Sequence, residues 1–237
     1  NTVLIDELGK ALHVSTNTIR RDLSNLEKQG ILQRTHGGAI FVDSNMQSKP
    51  YEIRSQEGMT EKEKIGRRAA LLVHDGSTII IDAGTTTKQL ALYLENARNL
   101  TVLTNSLEIA EILSRNANII VILSGGILQV SSNHLIGMPA EQFFSQVHVD
   151  QLFTSANAIS IEKGLLSSNL HIVPIKQKML KVAREVILIA DSSKIDKTGI
   201  GRIAPLTAAH KFVTDSRIEP QTASAISALG IEVIIAE

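Results

Sequence analysis

Three short clusters carry most of the side chains able to do chemistry in this chain. The first, Asp82-Ala83-Gly84-Thr85-Thr86-Thr87, follows the apolar run Thr78–Ile81. Backbone N–H groups at the start of a helix, joined by three hydroxyls, form a cradle suited to an anion such as phosphate. A capped strand-to-helix turn has the same composition, so this cluster alone has two readings. The second, Thr104-Asn105-Ser106, opens the segment LEIAEIL, and the third, Ser124-Gly125-Gly126, closes IIVIL. Paired glycines permit positive φ and close approach of backbone to a ligand, although a lone Gly-Gly is more often a simple turn. Three such loops after successive strands point to a binding edge, because open α/β sheets take ligands at the C-terminal ends of their strands.

A fourth cluster lies near the start. In STNTIRRDLSNLEKQG the apolar residues Ile19, Leu23 and Leu26 recur at helical spacing and face one way. The opposite face carries Asn17, Arg21, Ser24 and Lys28, with Arg20 on its flank. Ser15 is placed to cap this helix through its hydroxyl. Upstream, LIDELGKALHV sets Leu4, Ile5, Leu8, Ala11 and Leu12 on one stripe of a shorter helix. Downstream, Gly37-Gly38 allows a reversal between Ile31–Thr35 and Ala39–Val42, which reads as a wing bearing Arg34 and His36. Two helices joined by a tight turn, the second offering amide and guanidinium groups outward, have the geometry of a major-groove reader. Asn matches adenine edges, Arg matches guanine, and Lys or Arg hold phosphates. Taken singly, an amphipathic helix with outward Arg and Lys is usually a solvated face.

These clusters sit in two differently patterned regions. Residues 1–42 hold the two helices and hairpin, with five Lys/Arg against four Asp/Glu, so bulk charge adds little. Residues 43–60 are polar, lack a sustained apolar period and read as a linker. From 61 to 237 strand-like runs at Thr78–Ile81, Thr101–Thr104, Ile119–Leu123, Gln151–Thr154, Val186–Ala190, Lys211–Thr214 and Glu232–Ile235 alternate with helical patterns. Those helices are expected at Lys88–Asn96, Leu107–Arg115, Pro139–Gln146, Pro174–Arg184 and Pro220–Leu229. Continuous Val/Ile/Leu strands alternating with helices predict an α/β domain with a mostly parallel sheet covered on both faces.

Composition narrows the function classes. The 237 residues carry 24 basic and 24 acidic side chains and no cysteine. Disulfides and thiolate metal sites are thereby excluded, in keeping with a cytoplasmic protein. The seven histidines (13, 36, 74, 134, 148, 171 and 210) have no ligand spacing, so no metal is expected. No apolar run reaches the length of a membrane span.

The segment VSTNTIRRDLSNLEKQGILQRTHGGAI resembles the helix-turn-helix signature of the DeoR family of bacterial sugar-metabolism regulators. IIIDAGTTT, VLTNS, LSGG, DQLFTSANAISI followed by Gly164, and ILIADSSK also appear in that family's order. The resemblance spans nearly the whole chain. It implies a winged helix-turn-helix followed by a body of the sugar-phosphate isomerase/CoA-transferase type. It implies that Ser15, Thr16, Asn17, Thr18, Arg20, Arg21, Ser24, Lys28, Arg34 and His36 face operator DNA. It also implies that Asp82, Gly84, Thr85, Thr86, Thr87, Asn105, Ser106, Gly125, Gly126 and Lys176 line a pocket for a phosphorylated sugar. The family's module begins with a further helix, so one helix is expected before Asn1. Where the family often has an acidic residue four positions before the lysine, this chain has Ile172. Asp191, Ser193 and Lys194 also follow a strand and have a simpler reading as stabilisers of its exit.

The expected function is therefore a homo-oligomeric repressor, dimeric or tetrameric, without cofactor or catalytic residue, that answers to a sugar phosphate. The alternative is a sugar-phosphate isomerase, with Asp82, Asp150 and a nearby Lys moving a proton next to a carbonyl. A DNA module argues against it.

Overall fold

The computed structural model describes residues 2–28, 32–35, 37–41 and 51–237. The N-terminal region contains β1 (Thr2–Leu4), α1 (Ile5–Leu12), α2 (Thr16–Lys28), β2 (Leu32–Arg34) and β3 (Gly38–Phe41), with β3 between the other two strands in a small antiparallel sheet. Ile5, Ile19, Leu23, Leu32 and Ala39 form its core, with Val3, Leu8 and Leu26 packed against them. The expected stripe of α2 is the one buried. That of α1 is narrower than its sequence suggests. Leu4 lies in β1 and is 48% exposed, and Leu12 is 61% exposed. His13 turns left-handed at φ 54° directly after Leu12, ending the helix before its last turn can face the core. Gly38 is obligatory where β1 crosses, because a Cβ there would stand 2.0 Å from the Val3 carbonyl oxygen.

Within the stretch that reads as a linker lie α3 (Tyr51–Gln56) and the first two residues of α4 (Met59–Ala70). Residues 43–50 lie outside the described set. The buried residues of α4 are Lys62, Ile65, Gly66 and Ala69, at positions i, i+3, i+4 and i+7. The period is helical, but a lysine and a glycine disguise it. α4 packs on α5 (Thr85–Leu92), and Gly66 is the point of closest approach.

The body is a seven-stranded parallel sheet. Its strands are β4 (Thr78–Ile81), β5 (Leu100–Thr104), β6 (Ile119–Leu123), β9 (Val149–Thr154), β12 (Ala183–Ile189), β14 (Lys211–Asp215) and β15 (Glu232–Ala236). They run in the order β15-β14-β12-β9-β4-β5-β6. Each corresponds to one of the seven expected runs. α6 (Leu107–Leu113), α7 (Met138–Ser145), α8 (Val173–Val182) and α9 (Pro220–Ser227) match the remaining expected helices, and α5 begins three residues earlier than expected. Alternation along β4 sends Ile80 into one buried cluster with Leu152, Leu188 and Phe212, and Ile79 and Ile81 into another with Phe153, Ile187 and Ile189. Both faces are thus apolar, as parallel strands require. Two antiparallel additions carry no sequence signal of their own. One is the hairpin β7 (Ile127–Gln129) with β8 (His134–Ile136). The other is a three-stranded sheet, β10 (Ala158–Ser160), β11 (Gly164–Ser167) and β13 (Gly201–Ala204), in that order.

At Gly66 a Cβ would lie 2.6 Å from the carbonyl carbon of Gln89 and 2.8 Å from the nitrogen of Leu90. Alanine in an exposed helix gains about 1 kcal/mol over glycine. Here the backbone contact reverses the sign. Gly66→Ala is expected to lower stability by about 1–3 kcal/mol in urea unfolding, whereas unchanged or increased stability would contradict the close α4–α5 crossing.

Candidate functional site

Strands β9, β4, β5 and β6 are neighbours, so the loops leaving their C-terminal ends share one edge of the sheet. The loop after β4 is tied to the loop after β5 by Asn105, whose Oδ1 accepts from the Ala83 N–H at 3.1 Å. The same amide donates to the Leu135 carbonyl at 3.2 Å, binding both loops to β8. Thr104 donates to the Ile81 carbonyl at 2.6 Å and accepts from the Ser106 N–H at 3.1 Å. Ser106 caps α6 by accepting from the Ile109 N–H at 3.3 Å. Gly126, at φ 120°, lies so near the β8 backbone that a Cβ would stand 2.6 Å from the Ile136 carbonyl oxygen. Its close approach is therefore to the protein itself, while Gly125 faces open space at φ 68°.

At the centre of this edge Asp82 and Lys176 form an ion pair, 2% and 7% exposed at their side chains. Thr154, ending β9, donates to Asp82 Oδ2 at 2.7 Å, and Lys176 Nζ also donates to the Ser155 carbonyl at 2.8 Å. One carboxylate and one ammonium, removed from water, are thus satisfied by each other and by neighbouring polar groups. Lys176 reaches the pair from the first turns of α8, whose entry is set by Pro174. Ile172, half-buried, immediately precedes that helix. Thr85 and Thr86 stand at the start of α5, both buried, beneath the orphan N–H groups of its first turn. Thr87 is fully enclosed and donates to the Gly84 carbonyl at 3.0 Å, so its hydroxyl serves the helix start.

Several residues around this edge escape a sequence reading. Thr154 ends a fourth strand and Ser155 opens the loop after it, and a hydroxyl pair at a strand end is the signal that could have found them. α3 contacts α5. Its Tyr51 hydroxyl donates to Glu108, which also pairs with Lys88 at 3.0 Å. Lys62 is buried and donates to the carbonyls of Arg54 and Glu57, fastening α3 to α4. Burial pulls its ammonium below the ordinary lysine range, and the Asp191 carboxylate opposes that shift. Asp191 accepts from the Ser193 N–H at 3.1 Å, and Asp215 from the Ser192 N–H at 2.7 Å, so this segment stabilises the strand exit. Among the described residues no group of His, Cys, Asp and Glu could hold a metal ion.

Asp150 is set apart from all of this. It lies at the opposite end of β9 from Thr154, accepting from the Thr78 N–H at 2.8 Å where β4 begins. Asp82 follows the far end of β4. Parallel pairing of the two strands separates these carboxylates by the length of the sheet, so they do not form the proton-moving pair of an isomerase.

On α2 the Ser15 hydroxyl accepts from the Thr18 N–H at 3.1 Å and shares a 2.9 Å hydrogen bond with the Thr18 hydroxyl. Asn17, Arg20 and Arg21 are exposed, and Thr16 and Ser24 are half-buried. Arg20 donates to Asn17 Oδ1 at 3.4 Å. Glu27 accepts from the Arg34 N–H at 2.8 Å, pinning the start of the wing turn to α2. Lys28 ends the helix, and His36 lies outside the described residues.

The N-terminal elements constitute a winged helix-turn-helix, and the body a parallel α/β domain with a polar site on its strand edge. Together they define a DNA-binding regulator with a sensor body. Residues 1–45 match the DeoR-like helix-turn-helix domain, and residues 57–216 the DeoR C terminal sensor domain. The chain belongs to the DeoR family of transcriptional regulators. It is 34% identical to the HTH-type transcriptional regulator GolR of Listeria innocua, covering 100% of this chain and 93% of that one. It is 35% identical to the HTH-type transcriptional repressor GlcR of Bacillus subtilis, covering 100% and 91%. Among solved structures, ribose 5 phosphate isomerase A from Neisseria gonorrhoeae aligns over 57% of this chain and 53% of its own at 15% identity and a TM-score of 0.41. Family membership sets the regulator above the isomerase. Among the described residues no helix is long and apolar enough to cross a membrane.

Removing Lys176 alone strands a buried carboxylate. Lys176→Met is expected to cost about 3–5 kcal/mol of stability. Adding Asp82→Asn to that variant should recover part of the loss, because no uncompensated charge remains. A double-mutant cycle in urea tests this. Strictly additive losses would show that the two side chains do not support each other.

Proposed function

We propose that this chain represses a carbohydrate-catabolism operon and that a phosphorylated sugar bound to its body modulates its hold on operator DNA. The observation that carries this reading is the coexistence, on one chain, of an exposed Asn17/Arg20/Arg21 surface on a capped helix and a buried Asp82–Lys176 pair at the mouth of a parallel sheet. In this proposal the head is 1–42, the tether 43–60 and the sensing body 61–237. α2 enters the major groove, with Asn17, Arg20, Arg21, Ser24 and Lys28 toward the DNA and with Arg34 and His36 of the wing beside the backbone. Ser15, Thr16 and Thr18 bring the helix start against phosphates.

The phosphate of the effector sits on the α5 N-terminus, held by backbone N–H groups after Gly84 and by Thr85 and Thr86. The sugar spans toward Asp82, Lys176, Asn105 and Ser106, beside Gly125 and Gly126. Lys176 supplies a compact cation and Asp82 an acceptor for sugar hydroxyls. α3 gives a physical route to the head: it lies in the tether and is hydrogen-bonded through Tyr51 to Glu108, beside Lys88 of α5. A ligand changes DNA affinity only as far as it favours one arrangement of the chain over another. Symmetric half-sites favour a dimer or tetramer, working in the cytoplasm.

Two measurements test the proposal. Arg21→Ala should weaken salt-sensitive operator binding by about 1–3 kcal/mol in fluorescence anisotropy, and unchanged binding removes Arg21 from the reading face. Thr86→Val should weaken sugar-phosphate binding at least several-fold in calorimetry without lowering the melting temperature of the body. Equal affinity places the phosphate elsewhere.

A further inference from the structure

Beside the proposed pocket, a buried imidazole nitrogen has no hydrogen-bond partner among the described residues. His134 begins β8, is 7% exposed, and forms an isolated bridge with Ser106 of the second loop. Its neighbour Leu135 donates its N–H to the Asn105 carbonyl at 2.8 Å, so the ring is held against the same edge that carries Asp82. His134 Nδ1 lies 3.1 Å from the Ser132 carbonyl oxygen. A carbonyl only accepts, so Nδ1 carries the proton and Nε2 presents a lone pair. Among the described residues neither that Nε2, shut from bulk solvent, nor the buried hydroxyl of Ser132 in the same hairpin has a hydrogen-bond partner. Burial lowers the imidazole below its ordinary value. The Ser132 hydrogen bond and the Asp82 carboxylate oppose that shift, while Lys176 and Arg54 reinforce it. The ring is therefore neutral at neutral pH and lies within the electrostatic reach of the Asp82–Lys176 pair.

A buried acceptor left empty is costly, and one held against the strand edge that carries Asp82 marks a place for a donor. The groups at the proposed phosphate position are donors, and an acceptor elsewhere on the same edge suits a hydroxyl of such a ligand. We propose that His134 Nε2 accepts a hydrogen bond from one hydroxyl of the phosphorylated sugar and so discriminates among sugar phosphates. This rests on the sensor reading above and extends it to specificity. A site built to pair a hydroxyl rejects the analogue that lacks it more strongly than an apolar wall can.

The test uses the full chain and calorimetry with ribose 5-phosphate, glucose 6-phosphate, fructose 6-phosphate and a monodeoxy analogue for each ring hydroxyl of whichever sugar phosphate binds. Two variants isolate the distal nitrogen. His134→Asn retains a donor for the Ser132 carbonyl but has nothing at the Nε2 position, whereas His134→Gln returns an amide to it. The unaltered protein should lose about tenfold in affinity, the equivalent of one hydrogen bond, for one deoxy analogue. His134→Asn should bind parent and analogue within twofold of each other, and His134→Gln should regain part of the discrimination. Tenfold discrimination kept by the Asn variant, or no discrimination in the unaltered protein, overturns the inference and leaves the sensor reading standing. Absence of binding by every sugar phosphate to the unaltered protein overturns both. Ring 15N shifts of His134 in the unaltered protein decide the case even where a variant does not fold: Nε2 should move on saturation with the bound sugar phosphate, and an unmoved resonance overturns the inference.

Discussion

The buried Asp82–Lys176 pair is the constraint around which the body is arranged. Its carboxylate comes from the end of β4, its ammonium from α8, and its hydroxyl and carbonyl partners from the end of β9. Charges removed from water survive only when closely paired and hydrogen-bonded. The pair therefore requires that β4 and β9 end at the same height and that the first turns of α8 point at them. Parallel register supplies the first condition, with Ile81 opposite Phe153. Packing of Ile175 and Met179 into the core supplies the second. What results is a pre-formed polar floor with little net charge. An anion over it must draw its attraction from helix N–H groups and hydroxyls, which is where Thr85 and Thr86 stand.

The head obeys a different economy. Its core is small, and its shape depends on close backbone crossings and on local hydrogen bonds such as Ser15 to Thr18 and Glu27 to Arg34. The first bond caps the start of α2, beside Asn17, Arg20 and Arg21, and the second ties the end of that helix to the wing strand. With no net charge on the 237 residues, the proposed recognition of DNA rests on the local surface of these side chains and not on a long-range field. α3 lies in the chain between the residues matched to the helix-turn-helix domain and those matched to the sensor domain. Its ties to α4 through Lys62 and to Glu108 through Tyr51 fasten it to the elements beside the polar edge.

The seven sheet strands were legible in the sequence because each is a short, mostly apolar run between helical or turn segments, and the buried stripe of α2 because its apolar period is unbroken. α4 was not, since Lys62 and Gly66 occupy two of its four buried positions: a lysine stem and a glycine contact read as polar and as a break. Leu4 and Leu12 were over-read, because hydrophobic period alone does not say where a left-handed turn cuts a helix short. At the site, Asp82 and Lys176 were both visible as reactive types. Their pairing was not, because 94 residues separate them and only the strand order brings them together. His134 had no signal at all: it sits in a three-residue strand whose place is fixed by backbone bonds to Asn105.

The account stands on energetic linkage between the sugar site and the DNA-reading helix, and linkage is reciprocal. The most direct test is the affinity of the protein for its sugar phosphate, measured by calorimetry with and without saturating operator DNA. The account predicts that the two values differ by about fivefold or more. Identical affinities would contradict it, since a body indifferent to DNA cannot in turn control the head.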